Sequence, residues 1–255
     1  MTLPRLLQGA LDADPARALI TFYDDSSGER TELSVATFAN WVAKTANLMQ
    51  DELGMTAGQR VAIRLPLHWQ AAVWLAACWA VGAVAAPGAD AADVAVVCSE
   101  DAAAPPAADE IVGLGLGPLG LPRRKLVVPA HVTVDYDRVV HGHGDRFAPV
   151  EPPGPDVAAL ALGATSYAAN DLVGRARASA ATWRLPPGGR LLVTGPLDHL
   201  EAVLAGLLVP LASGAGAVLC RHPDAERLPG RVVSERIAAS LGPVPGAAVP
   251  GLLVV

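Results

Sequence analysis

Residues in the first third of the chain follow two different hydrophobic spacings, which predict a helix followed by a short strand. Helical spacing begins after Ser34, a residue type that often caps helices. The helix ends near Gly54, where a residue without Cβ suits a C-cap. One side of this helix carries Phe38, Val42, Thr45, Leu48 and Met49. The next apolar run, Val61–Ile63, is too short for a helix and rich in β-forming residues, so it predicts a buried parallel strand.

The same order of elements continues and then recurs in the second half of the chain. After the first strand, Pro66 opens a predicted helix over 68–81, and a strand over Ala83–Ala86 follows. The second half predicts a helix from about Ser166 to Trp183, a strand at Leu191–Thr194, a helix over 197–212 and a strand at Gly216–Cys220. Alternation of helices with short apolar strands is typical of α/β architecture with parallel sheets.

Two segments of the chain align with each other at an offset of 130 positions. Residues 39–73 and 169–203 align without a gap and are identical at nine of 35 positions. The identical residues of the first segment are Ala39, Asn40, Ala46, Gly58, Arg60, Pro66, Leu67, Ala72 and Val73. Because a repeated sequence implies a repeated structure, we predict that residues 34–86 and 164–220 superimpose as one helix–strand–helix–strand unit.

The region between the repeated segments is less regular. Further strands are predicted at Asp93–Cys98, at Glu110–Leu116 and, as an edge strand, at Val132–Tyr136. Phe147–Pro155 holds four prolines and one glycine, which is typical of a linker. The sequence therefore predicts an α/β protein of two similar parallel-sheet lobes with flanking helices. The first lobe spans 1–150 with an irregular insert, and the second spans 151–255.

Composition and charge exclude several classes of protein. The 255-residue chain is 52% hydrophobic and 17% charged, which excludes an intrinsically disordered protein. Its net charge of −6 argues against a nucleic-acid partner, and the one dense basic cluster, Arg123–Lys125, is interpreted as a solvated loop. The 19 uncharged residues Ala71–Ala89 approach the length of a membrane span. However, Gly82, Pro87 and a counterpart in the repeat favour a buried helix and strand.

The cysteines and the first residues indicate a cytoplasmic protein. Cys78, Cys98 and Cys220 lie in or beside apolar runs without metal-ligand spacing. They predict buried free thiols in a reducing compartment. The first residues lack the apolar region and cleavage site of a signal peptide.

Three short motifs could mark sites, and each has a simpler interpretation. Residues 115–120 fit the pattern G-x-G-x-x-G of dinucleotide folds, but no convincing helix follows, so a glycine-rich turn is the alternative. His141, His143 and Asp145 are potential metal ligands, although the glycines between them favour an exposed loop. Asp198 and His199 could orient a serine nucleophile such as Ser166 or Ser213, yet the chain has no G-x-S-x-G elbow.

Several segments, taken in order, resemble the AMP-forming acyl-CoA synthetase superfamily. They are Arg17–Tyr23, Gly28–Ser34, Gly58–Ile63, Ala80–Pro87, Pro196–His199 and Leu207–Ala215. The large domain of that family contains two similar α/β lobes, which would account for the internal repeat. More narrowly, the region from Gly117 to Phe147 resembles a group of shortened actinobacterial relatives. In the synthetases, the histidine that matches His199 lies near the acyl substrate.

Departures from the family pattern argue against its chemistry. The resemblance implies a glycine- and Ser/Thr-rich phosphate loop ending in lysine, between strand Ala158–Leu162 and the helix from Ser166. Only Gly163, Ala164, Thr165 and Ser166 stand at that place. The adenine- and ribose-binding motifs and the C-terminal catalytic lysine are also not found in the 35 residues after Cys220. Adenylation needs such groups to neutralise charge on the phosphoryl centre.

These observations predict a non-adenylating binding or interaction protein, with no catalytic residue, cofactor or metal. The predicted ligand is a small acyl, aromatic or nucleotide-like molecule between the lobes, and its candidate contacts are Asp198, His199, Thr165 and Ser166. Two alternatives stay open. One is an enzyme, or a subunit completed by another chain, that handles a CoA or acyl-adenylate substrate. The other is a purely structural partner protein.

The high apolar content also predicts association. Apolar patches beyond a few hundred Å² rarely stay exposed on a monomer. We therefore expect a homodimer or a stable complex with another protein subunit. The apolar segment 246–255 is expected either to pack as a strand or to lie in that interface.

Overall fold

The computed structural model describes residues 1–98, 104–121, 131–186, 188–242 and 252–255. Its strands are β1 (Ala18–Asp24), β2 (Glu29–Ser34), β3 (Arg60–Arg64), β4 (Val84–Pro87), β5 (Val94–Cys98), β6 (Glu110–Leu114), β7 (Val134–Asp135), β8 (Ala158–Leu162), β9 (Thr165–Ala168), β10 (Arg190–Val193), β11 (Gly216–Arg221), β12 (Ile237–Ser240) and β13 (Leu253–Val254). Its α-helices are α1 (Leu3–Ala13), α2 (Val35–Asn47), α3 (Trp69–Val81), α4 (Tyr136–Val139), α5 (Ala169–Trp183), α6 (Leu200–Val203), α7 (Val209–Ser213) and α8 (Leu228–Ser234). The basic cluster Arg123–Lys125 and most of segment 246–255 lie outside the described residues.

The strands form two sheets, and most neighbouring strands are parallel. One sheet has the order β13-β12-β10-β11-β1-β2, and the other has the order β7-β6-β5-β3-β4-β8-β9. The antiparallel pairs are the hairpins β1–β2 and β8–β9, each at one end of its sheet. Strand β7 lies at the opposite edge of its sheet, as the alternation near Val132–Tyr136 predicts. The predicted α/β class with parallel sheets is therefore confirmed.

Contacts between Cα atoms divide the chain into two compact units, and each sheet lies within one of them. Unit 1 comprises residues 1–4, 39–66 and 73–171, and unit 2 comprises residues 5–38, 67–72 and 172–255. The lobes 1–150 and 151–255 stay a prediction. The contacts group the chain differently because β1 and β2 pair into the sheet of β10–β13, while β8 and β9 pair into the sheet of β3–β7.

The two segments related by the 130-residue offset contain the same order of elements. Arg60 and Arg190 each begin a strand, and each strand pairs in parallel with the strand that follows the next helix. The helix after β3 begins at Trp69, close to the prediction. The helix after β10 is interrupted: a π-helical turn at Leu204–Leu208 joins α6 to α7. Pro210 explains the interruption, because its ring clashes with the carbonyl four residues earlier in a regular helix.

Ser34 caps the N-terminal end of α2, as the sequence predicts. The Ser34 hydroxyl accepts a hydrogen bond from the backbone N–H of Thr37 at 3.1 Å. The helix continues into a π-helical turn over Leu48–Glu52, and Gly54 follows with a positive φ of 60°. Helix α3 and strand β4 account for the uncharged stretch Ala71–Ala89. Among the described residues, no helix combines the length and the apolar character that crossing a membrane requires.

The core of unit 1 is built around α3. Trp74 and Tyr136 are fully buried, and their ring centroids lie 5.3 Å apart. The hydroxyls of Tyr136 and Thr45 are 2.7 Å apart, so this buried tyrosine has a hydrogen-bond partner. Trp79 on the same helix donates a hydrogen bond to the carbonyl of Ala159 at 2.9 Å. Aromatic packing and a hydrogen bond therefore fix α3 against α4 and β8.

Helices cover both faces of the unit 2 sheet. On one face, Val218 and Cys220 of β11 pack against Leu228 and Val232 of α8. The neighbouring residue Leu219 points to the other face, because side chains alternate along a strand. On that face, the π-helical turn packs closely against Leu197 and against Leu219 of β11. A Cβ added to Gly206 would lie 2.7 Å from a methyl of Leu197 and 3.5 Å from a methyl of Leu219.

Candidate functional site

The predicted ligand contacts Thr165 and Ser166 lie in strand β9 of unit 1, not at the start of a helix. A two-residue turn at Gly163 and Ala164 connects β8 to β9, and Gly163 adopts a φ of 56°. Ser166 pairs with Ala161 and Thr165 pairs with Leu162 in the antiparallel ladder. The predicted helix start at Ser166 is therefore wrong, because nonlocal pairing with β8 holds these residues extended. Helix α5 begins only at Ala169.

The other two predicted contacts, Asp198 and His199, lie together in unit 2. His199 occupies the N-terminal end of α6, with its Nδ1 atom 3.0 Å from Oδ1 of Asp198. The two side chains are 51% and 50% exposed. A carboxylate that accepts the Nδ1–H bond leaves Nε2 available to a ligand. Ser213 is engaged elsewhere, since its hydroxyl donates to the carbonyl of Val209. The structure therefore does not bring Ser213 into a catalytic triad.

The loop that carries His199 borders a topological switch point of the unit 2 sheet. Strands β10 and β11 are parallel neighbours. The chain leaves β10 through α6, which leads into the π-helical turn on the Leu219 face of the sheet. It leaves β11 through α8 on the opposite face. In open α/β sheets, ligands bind in the crevice outside the carboxyl ends of such strands.

A second aspartate–histidine pair lies at the same edge of the sheet. His222 follows the end of β11, and its Nδ1 atom is 2.9 Å from Oδ1 of Asp24 at the end of β1. Ser26 adds its backbone N–H at 3.0 Å and its hydroxyl at 2.7 Å to the same oxygen. Burial alone would raise the pKa of Asp24, but the hydrogen bonds from Ser26 and His222 outweigh it and lower this pKa to about 2. Asp24 is therefore a carboxylate at neutral pH.

Ser26, His222 and Asp24 are the three residue types of a hydrolase triad, but their geometry differs from one. In a triad the histidine binds the aspartate through one ring nitrogen and the serine through the other. Here the Ser26 hydroxyl lies 3.0 Å from Nδ1, the same atom that faces Asp24. The arrangement therefore fixes the His222 ring and leaves Nε2 directed away from both partners.

The neighbouring Asp25 holds the other side of the loop that follows β11. Its carboxylate accepts hydrogen bonds from both terminal nitrogens of Arg231, at 2.6 and 2.9 Å. These bonds lower the pKa of Asp25 despite its burial. Asp25 also accepts the backbone N–H of Asp224 at 2.8 Å, and the Arg231 guanidinium lies 3.9 Å from the ring centroid of Tyr23. Asp24 and Asp25 thus anchor the start of the connection to α8.

A third charged group lies between β1, β10 and the end of α8. Glu235 accepts hydrogen bonds from Tyr23 and Arg190, and Arg190 also donates to Thr21 at 3.0 Å. Burial alone would raise the pKa of Glu235, but the bond from Tyr23 and the charge of Arg190 lower it. Because these groups satisfy one another, this network supports the sheet and does not offer a vacant binding group.

The remaining sequence motifs have structural roles in unit 1. In the G-x-G-x-x-G segment, the Gly115 N–H donates to Asp137 at 2.8 Å, and residues 118–120 form a short 3-10 turn. A Cβ at Gly120 would lie 2.5 Å from the Trp41 ring, so the glycine allows close packing. The alternative of a glycine-rich turn is therefore the observed one.

The histidines that could bind a metal face separate partners. His141 Nε2 lies 3.1 Å from the Gly120 carbonyl, and His143 Nε2 lies 3.0 Å from Glu52. Asp145 pairs with Lys44 at 2.9 Å. Within the described ranges, no group of three or more His, Cys, Asp or Glu side chains could hold a metal ion.

The sequence did not single out Asp24, Asp25, His222 or Arg231. The members of each pair are about 200 positions apart, and only the pairing of β1 with β11 brings them together. A usable signal was the position of polar residues directly after two apolar runs. Asp24 and Asp25 follow one run, and Arg221 and His222 follow the other.

Comparisons with known proteins agree with the α/β fold. No family model matches the chain. The N-terminal domain of FACL13 from Mycobacterium tuberculosis superimposes with a TM-score of 0.73 at 15% sequence identity, covering 99% of this chain and 68% of that domain's chain. This likeness confirms the fold expected from the resemblance to the acyl-CoA synthetase large domain. At this identity it shows the fold alone.

A sequence relative assigns the family. A TIGR03089 family protein of Mycobacterium tuberculosis strain H37Rv is 39% identical over 253 residues, covering 94% of this chain and the whole of the relative. Identity of this extent along nearly the full length shows that the chain belongs to the TIGR03089 family.

Proposed function

We propose that the protein binds a small acyl- or nucleotide-like ligand and does not adenylate it. The observation that carries this proposal is the β8–β9 hairpin. It stands where the resemblance to acyl-CoA synthetases implies a phosphate loop. A phosphate chain needs a concave set of unpaired backbone N–H groups and a nearby cation. Thr165 and Ser166 instead belong to a paired strand, and their connection to β8 is only two residues long.

The positions of the lysines in the sequence also argue against adenylation. The sequence contains two lysines, Lys44 and Lys125, and neither lies near the β8–β9 hairpin in sequence. The Lys44 ammonium contacts Asp145 and donates to the carbonyl of His143 at 2.6 Å. The hairpin therefore has no lysine in or beside it in sequence, and its two-residue turn is not a glycine-rich cradle. This lack removes the electrostatic stabilisation that phosphoryl chemistry requires.

Support for ligand binding comes from the Asp198–His199 pair. The imidazole is exposed at the carboxyl edge of a parallel sheet, and Asp198 fixes its orientation. An oriented, accessible imidazole can hydrogen bond a ligand in either protonation state. Thr165 and Ser166 lie in the other unit, so the ligand-binding part of the proposal rests on Asp198 and His199.

We expect the isolated protein to show no saturable binding of ATP–Mg²⁺ and no exchange of pyrophosphate into ATP with short or aromatic carboxylates. The physical reason is the paired hairpin and the lack of a lysine near it in the sequence. Isothermal titration calorimetry and a radiolabelled exchange assay provide the measurements. A saturable isotherm with micromolar affinity, or carboxylate-dependent exchange, would contradict the non-adenylating role.

The binding role is tested on the same preparation with a thermal-shift screen of short carboxylates, AMP and coenzyme A. Compounds that raise the midpoint for the wild type should lose this effect in His199→Ala. They should keep it in His131→Ala, a matched control at another exposed histidine. Both substitutions replace exposed side chains, so folding is retained. If both variants respond like the wild type, His199 has no part in binding.

Three further expectations belong to this proposal. Association as a homodimer, or with another protein subunit, follows from the apolar composition, and Leu253 and Val254 form an exposed strand at one edge of the unit 2 sheet. A cytoplasmic location is supported by the three cysteines, which are buried and form no disulfide. Descent of the two offset segments from one duplicated unit is supported by their shared order of elements.

A further inference from the structure

Arg221, the last residue of β11, has an unusual environment for a partly buried arginine. The partly buried arginines of the described chain are Arg17, Arg190, Arg221 and Arg231. Arg17 donates to a backbone carbonyl, Arg190 binds Glu235 and Arg231 binds Asp25. Among the described residues, Arg221 alone of these four has neither an ion pair nor a side-chain hydrogen bond. A partly desolvated guanidinium without an anion is unfavourable, so this position suits an external anion.

The carboxylate opposite Arg221 on the neighbouring strand does not satisfy it. Asp24 is its cross-strand neighbour in the β1–β11 ladder. However, Oδ1 of Asp24 already accepts hydrogen bonds from the Ser26 backbone and hydroxyl and faces Nδ1 of His222. The sequence thus places a carboxylate beside Arg221, while the fold directs that carboxylate to His222.

His222 itself has an unusual backbone conformation. Its φ is 48°, in the left-handed region that few residues other than glycine adopt. Residues in sparsely populated conformations persist when the surrounding structure fixes them, and they concentrate at functional sites. Asp24 and Ser26 fix the ring through Nδ1, and the side chain is 52% exposed. Nε2 is therefore presented to solvent in one orientation.

The acidic residues around this edge do not oppose an anion. Asp24 faces His222, Asp25 is bound to Arg231 and Asp198 faces His199. Each of these three carboxylates thus has its own basic partner, Asp224 pairs with Arg227, and the side chain of Glu226 is exposed to solvent. Arg221 is the cation left over at this edge, beside the switch point between β10 and β11.

We propose that Arg221 and His222 form a subsite for an anionic group, a carboxylate or a phosphate, at the carboxyl edge of the unit 2 sheet. Arg221 supplies the planar fork that suits either anion, and His222 donates from Nε2 when it is protonated. His199 lies on the loop at the other side of the switch point. This inference rests on the proposed binding function and assigns the charged end of the ligand to residues that the family resemblance does not name.

The test is an NMR titration of the full chain with two probes, inorganic phosphate and acetate, recorded on the histidine ring resonances and on the backbone amide resonances, which still report binding in a variant without His222. The two probes distinguish the two sources of the anion. We expect the His222 resonances to shift saturably with at least one probe. Arg221→Gln should weaken that binding by about 10-fold or more, as for the loss of a hydrogen bond between charged groups.

Two further variants complete the experiment. His222→Asn removes the imidazole but tolerates the positive φ, so it should also weaken binding while the protein stays folded. Arg184→Gln is the matched control, because Arg184 is an exposed arginine of unit 2, also with a positive φ. It should bind the probe as the wild type does.

The outcomes separate this subsite from the proposed function. Equal weakening in Arg221→Gln and Arg184→Gln would indicate only a general charge effect and overturn the subsite. Retained binding in Arg221→Gln and His222→Asn, together with ligand effects that require His199, would overturn the subsite and leave the proposed function intact. If neither probe shifts His222, and no screened compound depends on His199, both proposals fail.

Discussion

Replacing Asp25 by asparagine is expected to lower the free energy of unfolding by about 3–5 kcal/mol, the usual cost of breaking a buried ion pair. The Arg231 and Asp25 side chains are only 9% and 5% exposed, and two short hydrogen bonds join them. Asp25→Asn leaves a buried guanidinium without its anion, against the Tyr23 ring and the Cys220 sulfur. Chemical denaturation followed by circular dichroism measures the loss.

A matched control in unit 1 separates burial from charge. Arg64 and Asp90 approach to 2.8 Å, but their side chains are 42% and 96% exposed. Asp90→Asn should therefore cost less than about 1 kcal/mol. The double variant Asp25→Asn with Arg231→Met should recover part of the loss, because it removes the unpaired buried charge. Equal effects of Asp25→Asn and Asp90→Asn would contradict the role assigned to the buried pair.

The second large effect is expected for Trp74→Ala, which should lower the free energy of unfolding by about 3–5 kcal/mol. Trp74 is fully buried on α3 and packs against Tyr136. Truncation would remove most of the ring contacts and leave a cavity that a close-packed core fills poorly. Thermal or chemical unfolding measures the change, and a loss below 1 kcal/mol would show that unit 1 collapses around the missing ring.

Tyr136→Phe is the control for this core. It keeps the aromatic packing on Trp74 and removes only the hydroxyl that lies 2.7 Å from Thr45. The expected loss is about 1 kcal/mol, the net value of one hydrogen bond. A loss as large as that of Trp74→Ala would mean that the hydroxyl, and not the aromatic packing, maintains this region.

Local signals in the sequence identify the elements whose formation depends on their own residues. The cap at Ser34, the turn at Gly54 and the β-forming run after Arg60 predict α2 and β3 closely. Arg190 likewise begins a strand, as the offset alignment predicts. In these segments hydrophobic spacing and capping favour the conformation that the tertiary structure also requires.

Nonlocal pairing explains the main errors. Thr165–Ala168 contains small polar residues that could begin a helix, and only the ladder with β8 makes them a strand. The same limit applies to the candidate site. Asp198 and His199 are adjacent in sequence, so their pairing could be predicted. His222 meets Asp24 across 198 positions, so it could not be.

The exchange of hairpins between the two sheets has a consequence for how the chain folds. The sheet of β10–β13 also contains β1 and β2, which come from the first 34 residues of the chain. The sheet of β3–β7 also contains β8 and β9, which come from beyond position 157. Contacts of such long sequence separation require large loops to close before any of them stabilises the product, and they slow folding. A nascent chain therefore cannot complete the pairing of β1 until β11 has emerged from the ribosome, so the β1–β2 hairpin joins its sheet only late in synthesis.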